Sequence, residues 1–206
     1  MANLITIARF PLLIAIIVIL YTPSPGLRLA GAILVPVLIG MDSLDGMLAR
    51  SRGEESLLGS VLDIMADRSV EMVMWVVFAH LGLVPVAIPI IFIIRGVVTD
   101  SLRSVHVGEG ETPFGSTKSS IGHWIVASPW MRSSYGVFKL LAFTGLALTH
   151  SLMAYADRGT VTRNTAETSL SIFLVISWIA VVFCITRGLP VIIESTARLR
   201  TQNSKA

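Results

Sequence analysis

The sequence predicts an all-α integral membrane protein, a bundle of six transmembrane helices with an amphipathic N-terminal segment, built from residues 1–206 as a single domain. Three observations carry this. First, 53% of the residues are hydrophobic and only 14% charged, with mean hydropathy +0.77, against about 25% charged residues in soluble domains. Second, six apolar stretches approach the roughly 20 residues that a spanning helix needs. Third, short connections join several of these stretches and favour antiparallel hairpins.

The first span is expected at residues 5–21. Asn3, Thr6 and Arg9 recur every three residues at its entry, so they share one face of an amphipathic segment. Arg9 before the apolar run Leu12–Leu20 has the look of a secretory leader, but no small-residue cleavage site follows closely, so the helix is expected to be retained. Pro23 and Pro25 mark a turn. Further spans are expected at 28–50, 57–80, 84–106, 136–154 and 168–187. Residues 107–135 form the long connection, punctuated by Gly108, Gly110, Pro113, Gly115, Gly122 and Pro129. Its run Ile121–Trp130 is apolar enough to lie against the membrane or the bundle, and the tail after Pro190 is polar and surface-bound. The single cysteine, Cys184, excludes an intramolecular disulfide and reads as a small packing residue.

Basic residues set the orientation. Arg50, Arg52, Arg103, Lys118, Arg132, Arg187, Arg198, Arg200 and Lys205 fall on one side, against Arg28, Arg158 and Arg163 on the other. This places both termini and the 51–56 turn on the cytoplasmic face of the cell membrane. A net charge of +3 suits an anionic membrane surface. No nucleic-acid module is recognisable.

Four aspartates flank that turn. Asp42 and Asp45 are spaced i, i+3, and Asp63 and Asp67 i, i+4, so each pair lies on one face of its helix. The pairs are symmetric about an apex near Glu54, which in a hairpin sets Asp42 opposite Asp67 and Asp45 opposite Asp63, roughly 12–18 Å below the apex. An acid at mid-membrane costs about 2.5 kcal/mol or more, so four together need a neutralising partner. Hard divalent cations, one or two of them, take oxygen ligands and fit that need. Gly46, Ala49 and Gly59 lack bulk on the same hairpin and let a ligand approach the backbone. Arg50 keeps its charge and can fork onto phosphate oxygens. The set suits a diphosphate ester, whose transfer depends on positioning and charge neutralisation. The alternative is ion pairing with Arg50, Arg52 and Arg68 for helix packing alone, but intramembrane acids are functional by default.

The string Asp42-x2-Asp45-Gly46-x2-Ala49-Arg50-x8-Gly59-x3-Asp63-x3-Asp67 resembles, position for position, the signature of the CDP-alcohol phosphatidyltransferases. The Asn3-x2-Thr6-x2-Arg9 entry agrees with that family. The resemblance implies a six-helix membrane enzyme, usually a homodimer, making phospholipid from a CDP-alcohol such as CDP-diacylglycerol and releasing CMP. It implies that Asp42, Asp45, Asp63 and Asp67 hold Mg2+ or Mn2+, two ions in all. Gly46, Ala49, Arg50 and Gly59 are implied to line the CDP-alcohol pocket, and Asp67 to be the general base toward the acceptor hydroxyl.

The acceptor belongs to the second half. Arg95 and Arg103 lie eight apart and near one face of the fourth span. Arg95 sits in an apolar run and needs an anionic partner: Asp100, the hairpin acids or a substrate phosphate. Arg95-x7-Arg103 and Gly136-x2-Lys139 look like the fourth and fifth helices of the phosphatidylglycerophosphate synthases within that family, which implies glycerol 3-phosphate. The longer stretch between Arg103 and Gly136, and the apolar Leu140, Leu141 and Ala142, depart from that pattern. A phosphatidylinositol-phosphate synthase or a cardiolipin-synthase-like reaction stays open, as does positive-inside anchoring for Arg103, Arg132 and Lys139.

Other features carry less. Glu71, one turn beyond Asp67, suits a partner for Arg50 or Arg68. His80, His106, His123 and His150 lack metal-ligand spacing. Two further functions compete. A cation transporter would explain acids in a membrane, but such proteins commonly repeat their broken helices, and the hairpin has no copy. A membrane prenyltransferase uses two separated acidic motifs, where this chain has one compact motif.

Overall fold

The structure is a computed structural model that describes residues 2–52, 57–108 and 129–203. Within the helices, the side chains of Asn3, Asp45, Ala49, Arg50, Arg103 and Arg132 lie outside the described set, as does the 109–128 part of the long connection. The described residues form helices and turns: α1 Ala2–Tyr21, α2 Pro25–Arg52, α3 Leu57–His80, α4 Ala87–Gly108, α5 Pro129–Asp157 and α6 Arg163–Asn203. Four carry segments long and apolar enough to cross a membrane: Leu4–Tyr21, Pro25–Asp42, Ser133–Asp157 and Arg163–Ile193. The described residues are therefore all helix and turn, with the apolar lengths of a membrane protein. Among the described residues, α3 and α4 offer no such segment.

Several boundaries differ from the sequence reading, three of them informatively. The amphipathic entry is the first turns of α1 rather than a separate segment, and its polar face points inward. Thr6 and Arg9 are buried while Leu4 and Ile7 are exposed, the arrangement expected when the surroundings are apolar. α5 starts at Pro129 instead of near 136, since proline at a helix start gives up an N–H that has no partner there anyway. α6 runs through Pro190 to Asn203, so the polar tail continues the helix as far as that residue. Hydropathy marks the apolar part of a helix, not its end.

The chain's contacts divide into two compact units. One comprises residues 1–86 and 140–176, the other 87–139 and 177–206, so α5 and α6 contribute to both. In the first, α1 packs against α2 and α3. Its core holds Ile16, Leu20, Val35, Leu38, Met74, Trp75, Phe78, Phe143 and Leu146. Phe143 meets Trp75 edge-on at 4.8 Å between ring centroids and Phe78 at 5.7 Å, the offset geometry that ring quadrupoles favour. Gly145 lies under the ring of Phe173, where a Cβ would collide with it. Such close approach drives helix association where lipid offers no hydrophobic gain.

Side chains from α5, its C-terminal turn and α2 itself bond carbonyls of the α1–α2 corner. Nε2 of His150 donates to the Leu20 carbonyl at 3.0 Å and the Ser151 hydroxyl to that of Pro25 at 2.9 Å. Arg158 and Arg28 bond the carbonyls of Pro23 and Thr22. α3 and α5 both end in Schellman turns. Gly82 and Gly159 each take φ of 73°, with Leu83 N–H bonding Phe78 O and Thr160 N–H bonding Tyr155 O.

In the second unit, Phe138 and Phe183 stack at 5.2 Å. Cys184 is buried, as its apolar context predicts. Thr99 returns its hydroxyl to the Arg95 carbonyl at 2.8 Å.

Candidate active site

The acid hairpin belongs to the first unit. Asp42 lies in the C-terminal half of α2, and Gly59, Asp63 and Asp67 follow along α3. Asp42 and Asp63 meet at a residue outside the hairpin. Arg9 Nη1 donates to Asp42 Oδ1 at 2.7 Å and stands 3.9 Å from Asp63 Oδ1. The arginine is 1% exposed, whereas the two acids are 36% and 48% exposed. The guanidinium thus reaches them from the protein side, and each acid keeps an accessible side. The packing alternative named Arg50, Arg52 and Arg68 as partners; Arg9 is a partner of Asp42 that it did not name. Arg68 bonds Glu71 at 3.3 Å, one of the two pairings expected of that acid, with Glu71 nearly fully buried.

Among the described residues, no three histidine, cysteine or acidic side chains are gathered as a ready set of metal ligands, and the Asp45 side chain lies outside that set. The chemistry of the donors nonetheless fits a cation. Carboxylates from α2 and α3 already flank one positively charged nitrogen, and oxygen donors of this kind suit Mg2+ or Mn2+. Of the pocket residues, Gly46 and Gly59 are partly exposed on α2 and α3; the side chains of Ala49 and Arg50 lie outside the described set.

The second unit gathers basic residues. Arg95 on α4 has a buried Nε with no hydrogen-bond partner among the described residues. It lies against Gly188 of α6, where an added Cβ would meet that Nε at 2.9 Å. The neighbouring Arg187 holds its guanidinium 5.3 Å from the centre of the Tyr135 ring, and buried Lys139 holds its ammonium 5.8 Å from the same ring. Both distances are within cation–π range. Sequence reasoning named Arg95 and Lys139 but counted Arg187 only among the basic residues that set the orientation. The signal that finds it is its spacing beside Gly188, a glycine inside an otherwise bulky apolar helix. Arg103 lies in α4, and its side chain lies outside the described set.

The fold and these residues define an all-helical membrane protein with an acidic cluster on one helical hairpin and a basic cluster elsewhere. The family model for CDP-alcohol phosphatidyltransferase matches residues 1–193. The chain belongs to that family and is a transferase of its class, acting in phospholipid synthesis on CDP-alcohol substrates and an alcohol acceptor. The family is generally dependent on divalent metal. Transport of cations therefore gives way to transfer chemistry as the reading of these acids. No curated protein matches the chain at a significant level.

Proposed function

We propose that the chain transfers a phosphatidyl group from CDP-diacylglycerol to glycerol 3-phosphate, acting as one catalytic domain and as a homodimer. The reading takes all six helices as spans, with the hairpin turn and both termini facing the cytoplasm. Asp42, Asp45, Asp63 and Asp67 hold two Mg2+ or Mn2+ ions, and Gly46, Ala49, Arg50 and Gly59 line the site of the CDP-alcohol. When bound, the ions offset the charge of the diphosphate and of the leaving CMP.

Asp67 takes the proton of the acceptor hydroxyl as that oxygen bonds the phosphorus bearing the lipid. The bond from this phosphorus to the bridging oxygen breaks, and CMP leaves with the bridging oxygen. Carboxylates are weak bases, so proximity to the hydroxyl supplies the advantage.

The observation that supports a phosphorylated acceptor is the buried Arg95 Nε without a hydrogen-bond partner among the described residues, joined through Gly188, Arg187 and Tyr135 to Lys139. A buried guanidinium nitrogen without a hydrogen-bond partner is unfavourable unless an anion completes it. A phosphate monoester supplies two negative charges and three acceptor oxygens, and arginine forks match its geometry. The test is CMP release by purified protein with CDP-diacylglycerol, Mg2+ or Mn2+, and each candidate acceptor in turn. Release with glycerol 3-phosphate alone supports the reading. Release with inositol phosphate or a phospholipid replaces the acceptor.

A further inference from the structure

We propose that Arg9 is a positioning residue for the divalent-metal centre: from within the bundle it ties Asp42 of α2 to Asp63 of α3 and holds the two carboxylates at the separation the ions require. The proposal rests on the reading of the hairpin acids as metal ligands.

The geometry argues for positioning over simple charge balance. A single nitrogen, Nη1, lies 2.7 Å from Asp42 Oδ1 and 3.9 Å from Asp63 Oδ1. It therefore bridges acids on two different helices. α1 packs against both of those helices, so the arginine's backbone is fixed relative to each. Thr6, one turn earlier on the same face, is buried too, so this face of α1 is turned inward. At 1% exposure, Arg9 is shielded from solvent where it stands. The two acids are far more open. An ion approaching them from their exposed side need not displace the guanidinium behind them.

Mg2+ demands near-ideal octahedral geometry, and carboxylate ligands are commonly oriented by outer hydrogen-bond partners. Arg9 supplies that restraint to Asp42 directly and to Asp63 by charge. The opposing effect is repulsion between the fixed positive charge and the incoming ion. If repulsion dominated, deleting the charge would tighten metal binding; if restraint dominates, it weakens binding.

The test uses Mn2+ as probe, without substrate, on full-length detergent-solubilised protein. Free Mn2+ is read by electron paramagnetic resonance for wild type, Arg9→Met, Arg9→Lys and Asp63→Asn. The expected result is a loss of Mn2+ affinity of about 10–100-fold in Arg9→Met, with a smaller loss in Arg9→Lys, which keeps the charge but not the planar fork. Asp63→Asn also loses affinity. Melting temperature in chelator is recorded in parallel, since a purely structural role would lower it and leave Mn2+ affinity unmoved. If Arg9→Met does not fold, Arg9→Lys carries the test. Unchanged or tighter binding in the folded Arg9 variants, with affinity lost in Asp63→Asn, overturns the proposal alone. Wild-type affinity in Asp63→Asn, or no binding by wild type, overturns the metal-centre reading and the proposal with it.

Discussion

Gly188 and Arg95 share a space that admits only one of two things, a methyl group at position 188 or the arginine stem where it now lies. A Cβ on Gly188 would stand 2.9 Å from Arg95 Nε and 3.0 Å from its Cγ. The backbone of α6 thus gives the guanidinium its place.

Gly188→Ala is expected to leave the fold standing, because the displaced atoms belong to a flexible side chain. The effect falls on where the guanidinium points. The KM for the phosphorylated acceptor should rise roughly tenfold, the equivalent of one good charged hydrogen bond of about 1.5 kcal/mol, with a smaller change in kcat. Steady-state kinetics across acceptor concentrations measure this; an unchanged KM would separate Arg95 from acceptor binding.

Lys139→Met and Arg187→Met are expected to act in the same direction. Each keeps much of the apolar stem and removes the charge from the Tyr135 ring. Acceptor KM should rise in both variants, and the KM for CDP-diacylglycerol should hold. Equal losses toward both substrates would point to packing.

Asp67→Asn preserves shape and removes the base. CMP release should fall by about 10²–10⁴-fold, the usual contribution of a positioned proton acceptor, while circular dichroism and melting temperature change little. Retained turnover would assign the proton to another group.

Gly145→Ala tests the packing of the first unit. The new methyl would collide with the Phe173 ring, which, unlike an arginine stem, has no slack along its length. Overpacking of this kind costs about 1–3 kcal/mol, and thermal unfolding in detergent should show it. Combining it with Phe173→Leu should recover part of the loss; additive losses would mean that the two positions do not clash.

His150→Phe removes the donor to the Leu20 carbonyl. That carbonyl accepts in a buried corner, and losing its partner costs about 1–3 kcal/mol. Melting temperature should fall, with activity kept below the transition. An unchanged melting temperature would show that water or a neighbouring group replaces the imidazole.

The all-helical class was legible from composition, and most helix positions from apolar runs broken by Pro23, Pro25 and Gly82. The ends were not, because the polar continuations of α5 and α6 carry no hydropathy signal and are held by backbone bonding that runs past the apolar part. The acid motif was equally plain, since the spacing of Asp42, Asp63 and Asp67 is a property of the chain itself. Helical periodicity also put Thr6 and Arg9 on one face. It gave no sign of which way that face pointed.

Sequence by itself therefore determined the membrane class, the acid hairpin and the family, all of which depend on residue type and local spacing. Tertiary structure alone decided that Arg9 sits between Asp42 and Asp63, that Arg95 lies on the bare backbone of Gly188, and that Arg187 shares an aromatic ring with Lys139. These relationships join residues on different helices. They depend on how helix surfaces pack, and periodicity within one helix says nothing about what faces it.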